Sequence, residues 1–224
     1  MHPHALALAA AFSVPQIAYL WLTGESSTAL DLWTSIGRGV CMSYTQVAWW
    51  AWMVLIVFSL ERWTYITVWL NSASFMKLCK KLRFALPAHE VLAHSLVCNK
   101  LIQLSSCLFV HFAIQNFSFP SDKPYTVFTA VQLLLIGQFL NWAVYGTIGK
   151  KGVYYGCRLG ADVPWVEGCP FTCCPHPQYV GAMLSLLGLG MLTITPFHSA
   201  NGMWLMMSSQ WVFYVLTMYV EEKL

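Results

Sequence analysis

The chain alternates long apolar runs with short polar stretches, and six of the runs approach the length of a membrane-crossing helix. About 20 mostly apolar residues carry a helix across a hydrocarbon core. The runs cover residues 5–23 (kinked at Pro15), 40–60 (closing at Glu61-Arg62), 101–119, 126–148, 179–197 and 203–220. Gln103, Ser105, Ser106, His111, Gln115 and Asn116 interrupt the third, which reads as the weakest span or as a helix buried among the others. The last two are joined by His198-Ser199-Ala200-Asn201-Gly202, a link too short for anything but an antiparallel return. The first run lacks a basic leader and a clear small-residue cleavage site before Gly24-Glu25; a cleaved signal peptide is its alternative reading. Residues 70–87 intersperse lysines with Phe75, Met76, Leu78, Leu82 and Phe84. They read as an amphipathic piece on the membrane face or as a connector with solvated lysines. The pattern predicts an all-α, polytopic integral membrane protein of about six transmembrane helices with a C-terminal helical hairpin. Residues 1–100 would hold the first spans and the basic connector, and residues 101–224 a core with a polar loop at 149–178.

Composition removes the soluble alternative. Hydrophobic residues make up 58% of the 224, and Asp, Glu, Lys and Arg only 9%, against about 25% charged in an average soluble domain. Mean hydropathy is +0.57. These values exclude a disordered chain, a nucleic-acid binder driven by charge and a small disulfide-stapled module. The net charge of +3 says little, but its placement says more. On the six-span reading, all of the Lys and Arg residues except Arg38 and Lys123 fall on one side. The positive-inside rule makes that side cytosolic, with both termini on it.

Residues 137–181 carry the chemistry. Gly149, Gly152, Gly156 and Gly160 keep a small-residue spacing that allows close approach of another helix or of a ligand. Lys150, Lys151, Tyr154, Tyr155 and Arg158 surround them, and Pro170, Pro175 and Pro177 shape an irregular return to the membrane. Irregular backbone at that depth needs protein or a cavity to satisfy its polar groups. Eight cysteines include Cys157, Cys169, Cys173 and Cys174 in this loop, near His176. They lack the paired Cys-x-x-Cys of a structural zinc site, so no metal is expected. Cys173 or Cys174 sits where palmitoylation is feasible.

Gly149-Lys150-Lys151-Gly152-Val153-Tyr154-Tyr155-Gly156, then Pro170-Phe171, then His176-Pro177-Gln178-Tyr179-Val180-Gly181 resemble the phospholipid N-methyltransferases. The His-Pro-x-Tyr-x-Gly piece is also similar to the wider superfamily that includes the isoprenylcysteine carboxyl methyltransferases. That superfamily closes its last transmembrane helix with a Glu-Glu pair, matched here by Glu221-Glu222. The resemblance covers about residues 126–224. It implies S-adenosylmethionine as methyl donor, held by Gly149, Gly152, His176, Pro177, Tyr179, Glu221 and Glu222, with His176 also a candidate base. Tyr154, Tyr155, Lys151 and Arg158 become candidates for the lipid head group, the tyrosines through cation–π contact and the cations through its phosphate. The implied acceptor is phosphatidylethanolamine or its mono- or dimethyl form, in the bilayer at the cytosolic face. The endoplasmic reticulum is the family's usual home in eukaryotes, and a bacterial inner membrane fits the same physics. Three departures stand out. Gly137-Gln138-Phe139 lacks the last residue of the family's Gly-x-Gly, Cys157-Arg158 replaces an Asp-Tyr pair, and His176 stands where the phospholipid enzymes often carry Asn. A methyltransferase acting on a prenylated cysteine carboxylate and a non-enzymatic membrane protein remain alternatives. The expected partners are the phospholipid in the bilayer and, as one option, a second copy of the chain in a homodimer; no nucleic acid is expected.

Overall fold

The computed structural model describes residues 3–114, 118–172 and 174–224; Gln115, Asn116 and Cys173 lie outside them. The helices are α1 (Pro3–Thr23), α2 (Ser26–Val40), α3 (Trp49–Leu70), α4 (Ser72–Lys81), α5 (Ala88–Leu108), α6 (Pro124–Val153), α7 (Pro177–Thr193), α8 (Pro196–Ala200) and α9 (Met203–Lys223). Prolines open α6, α7 and α8. At a helix's first position the missing N–H costs nothing, because that group has no intrahelical acceptor. At α8 the Thr195 side chain caps the His198 backbone N–H, and the His198 ring returns to Thr195.

Among the described residues four helical segments are long and apolar enough to cross a membrane: Leu6–Thr23, Trp49–Leu70, Ala88–Ile114 and Pro124–Val153. The 22 residues of α3 span about 33 Å, enough for a hydrocarbon core of about 30 Å. α7 and α9 form the expected antiparallel hairpin, with α8 in its turn.

The boundaries correct the sequence reading in three places. The second apolar run does not begin at residue 40. Residues 26–40 form the separate amphipathic α2, and the long helix starts at Trp49 and passes straight through Glu61-Arg62 to Leu70. Trp63–Leu70 is itself apolar, so the charged pair lies inside the helix rather than at its end. The third run likewise begins earlier, at Ala88, and closes in a π-helical turn at Phe109–Ile114. Residues 88–100, placed in a connector by composition, are therefore helix. α1 stays helical through Pro15.

α6 and α7 pack along their lengths, and their glycines are the reason. A Cβ at Gly137 would come within 2.5 Å of the Gly181 carbonyl, and one at Gly188 within 2.7 Å of the Ala130 carbonyl. α3 packs along α9 on one side and α5 on the other. The ends of α3, α6 and α9 and the starts of α5 and α7 thus meet at one end of the bundle. α4 closes this end with Phe75 and Met76 inward, Cys79 buried, and Lys77, Lys80 and Lys81 outward. Under it lies a core of Tyr65, Val68, Leu92, Leu96, Tyr155 and Leu159.

Candidate active site

α6 ends in a break at Gly149, where φ is +64° and ψ −179°. Nothing lies within 4 Å of a Cβ built there, so the positive φ, not close approach, calls for glycine. At Gly152 a Cβ would meet the helix's own Ile148 side chain, 2.6 Å away. Close approach of another helix, one of the two readings of that glycine spacing, is made instead by Gly137, Gly181 and Gly188. After the break the chain turns through Tyr155, whose φ of +56° is uncommon for a bulky aromatic residue. This turn directs the Tyr155 side chain into the bundle.

Tyr155 and Tyr179, both buried, donate their hydroxyls to the same carboxyl oxygen, Oε1 of Glu221. The two hydroxyl oxygens lie 3.5 Å apart. Glu221 is half-buried at the end of α9, beyond the apolar run, and burial pushes its carboxyl above the ordinary carboxylate range. Burial likewise raises the Tyr155 hydroxyl, which keeps it a neutral donor. One residue on, Glu222 is exposed and its Oε1 lies 2.8 Å from His176 Nε2. The hydrogen bond from His176 holds the Glu222 carboxyl below its ordinary range. The His176 ring stacks 5.9 Å from Tyr179. Pro177 is fully buried and starts α7, which fixes His176 and Tyr179 relative to each other.

Of the residues singled out from sequence, His176, Pro177, Tyr179, Tyr155, Glu221 and Glu222 thus come together. Tyr154 accepts a hydrogen bond of 2.9 Å from Tyr145 and lines a small cavity with Arg62 and Tyr179. Lys151 and Arg158 are exposed, and the Arg158 guanidinium lies over the Trp69 ring at 4.1 Å.

Sequence reasoning missed the α3 contribution. Arg62 is only 3% exposed, with its guanidinium carbon 4.5 Å from the Tyr65 and Tyr214 ring centres and 5.5 Å from that of Tyr179. Its neighbour Glu61 accepts from Arg62, from Gln103 at 3.0 Å and from Lys100 at 2.5 Å. Tyr65 and Trp69 set their rings edge-on to Tyr155 at 5.1 and 5.0 Å. One signal was available: the apolar stretch resumes after Glu61-Arg62, as it does around an intramembrane charge and not at a helix end.

A model of the phospholipid methyltransferase family matches residues 125–224, which contain every residue of the tyrosine–carboxylate cluster. A phosphatidyl-N-methylethanolamine N-methyltransferase of Arabidopsis thaliana is 33% identical over 170 residues, covering 76% of this chain and 88% of the relative. No solved structure matches the chain significantly. With the apolar helical bundle, these likenesses define a membrane methyltransferase. The chain belongs to the phospholipid methyltransferase family, so a methyl donor is part of its chemistry.

Proposed function

We propose that the protein transfers a methyl group from S-adenosylmethionine to the amine of an ethanolamine phospholipid, phosphatidylethanolamine or its mono- or dimethyl form. The reaction takes place at the cytosolic face of the membrane, in eukaryotes that of the endoplasmic reticulum. The observation that carries this reading is the convergence of Tyr155 and Tyr179 on Glu221 beside the His176–Glu222 pair. The Arabidopsis thaliana relative is named as a phosphatidyl-N-methylethanolamine N-methyltransferase, which supports this reading.

The donor set suits S-adenosylmethionine. Two carboxyl groups can accept from its amino group and ribose hydroxyls, and aromatic rings can face its cationic centre. When bound, S-adenosylmethionine supplies a methyl group already activated by positive sulfur. The residues then have to align and desolvate the partners. Glu222, exposed and fixed by His176, holds the donor's polar groups at the water side. Tyr179 and Tyr155 form the aromatic wall between donor and acceptor. Gly149 lets the chain turn so that Tyr155 reaches this wall. His176 is the imidazole at the site and the side chain that takes the amine's extra proton.

The test is methyl transfer from radiolabelled S-adenosylmethionine into a mixed lipid extract by the full-length protein in lipid. Label in phosphatidyl-N-methyl-, N,N-dimethylethanolamine or phosphatidylcholine is expected. Label on a prenylated cysteine peptide instead, or on neither, overturns the proposal.

A further inference from the structure

We infer that the cavity around Arg62 is an anion subsite that receives the phosphodiester of the lipid acceptor. This rests on the function proposed above and deepens it.

The cavity measures about 120 Å³ and lies beside the tyrosine–carboxylate cluster, with Arg62, Glu61, Lys100, Tyr145 and Tyr179 in its wall. The Arg62 Nη2 bonds Glu61, but Nε and Nη1 are buried and have no hydrogen-bond partner. A buried guanidinium with unpaired N–H groups is costly, and a phosphate oxygen pair is the ligand its planar fork fits best. The charge balance agrees. In the cavity wall Arg62 and Lys100 share the single carboxylate of Glu61, which leaves one positive charge for the one negative charge of a phosphodiester; the nearby Glu221 carboxyl is outside the wall and bonded by Tyr155 and Tyr179. The neighbourhood agrees as well. Tyr179 lies 5.5 Å from the guanidinium and donates its hydroxyl to Glu221. One tyrosine therefore separates the anion subsite from the proposed donor site, as the short two-carbon bridge of ethanolamine separates phosphate from amine.

The cavity also opens where a lipid can reach it. α5 packs on α3 and α6 on α7, but α5 and α6 share no extended packing; a Lys150–Glu90 ion pair joins them at the site end. Val97 and Lys100 on α5 and Tyr145 on α6 line the cavity and are exposed in the gap. Lys151 and Arg158, the cations that the sequence suggested for the phosphate, do not line it.

The test uses the full-length protein in detergent micelles with two short-chain acceptors. One is dihexanoyl phosphatidyl-N-methylethanolamine. The other carries the same N-methylethanolamine ether-linked to dihexanoylglycerol, without phosphate. Lys100→Gln and Arg62→Lys should raise KM for the phosphate-bearing acceptor about tenfold, and leave both KM for the phosphate-free acceptor and the Kd of S-adenosylmethionine unchanged. If Arg62→Lys does not fold, the largely exposed Lys100→Gln decides. Equal losses on both acceptors overturn the inference. So does a raised Kd for S-adenosylmethionine at unchanged lipid KM, which would assign the subsite to the donor's carboxylate. If the unaltered protein methylates neither acceptor, the proposed function fails separately. Calorimetry of the phosphate-bearing lipid then decides the subsite: weaker binding to Lys100→Gln supports it and equal binding overturns it.

Discussion

Glu61 and Glu222 show how position changes the task of one side chain. Glu61 is buried and balances two cations. Glu61→Gln leaves Arg62 without its counter-charge, and breaking a buried pair costs about 3–5 kcal/mol. A large fall in the temperature at which the solubilised protein loses its fold is expected. Glu222 is exposed and bonded to His176, so Glu222→Gln should spare the fold and weaken S-adenosylmethionine binding by about tenfold in calorimetry. The pH dependence follows from its lowered pKa. The charged, bonded form is held below the ordinary carboxylate range, so its contribution is complete above that range and is lost as pH falls through the lowered value. Donor affinity measured against pH should therefore hold through neutral pH and decline only in acid. His176, Tyr179, Glu221 and Glu222 were legible because each stands in a short motif beside a helix end. Arg62, Tyr65, Trp69 and Tyr214 were not, because their role arises from contacts between α3, α7 and α9, far apart in the chain.

At the level of helices, close approach and chain direction separate the glycines. Gly181 faces the Gly137 carbonyl of α6, so Gly181→Ala forces two helices apart and should cost about 1–3 kcal/mol. Gly146 lies in the same α6 with nothing within 4 Å of a Cβ. Gly146→Ala should be neutral or stabilise by up to about 1 kcal/mol through helix propensity. Thermal unfolding of the two variants in one detergent checks both. Spacing alone pointed to Gly149 and Gly152 instead, because a small-residue pattern does not say which partner helix it will meet. Helix limits were similarly ambiguous. Glu61-Arg62 looks like a terminus when only charge is read, and becomes the middle of α3 once Gln103 and Lys100 pair with Glu61 and tyrosine rings surround Arg62.

For the whole molecule, the sides of the bundle are the testable quantity. Cys157 is exposed at the end that holds the site, and Cys41 is exposed at the other, after Gly39 packs against Trp204 at the start of α9. Single-cysteine variants in sealed microsomes should label from opposite sides with a membrane-impermeant reagent, Cys157 from the cytosolic side. The basic residues Lys77, Lys80, Lys81, Lys150, Lys151 and Lys223 all accompany Cys157, which is why charge placement predicts that orientation. By itself the sequence determined the helical class, the presence of long apolar runs, the polar motifs and the family resemblance. All of these are properties of consecutive residues, readable from hydropathy and spacing. Only the tertiary structure decided that Tyr155 and Tyr179 share one carboxyl oxygen, and that α3 lends Arg62 to a cavity beside them. The physical reason is that a buried charge or hydroxyl is tolerated only with partners. Those partners come from other helices, and the packing of the bundle chooses them.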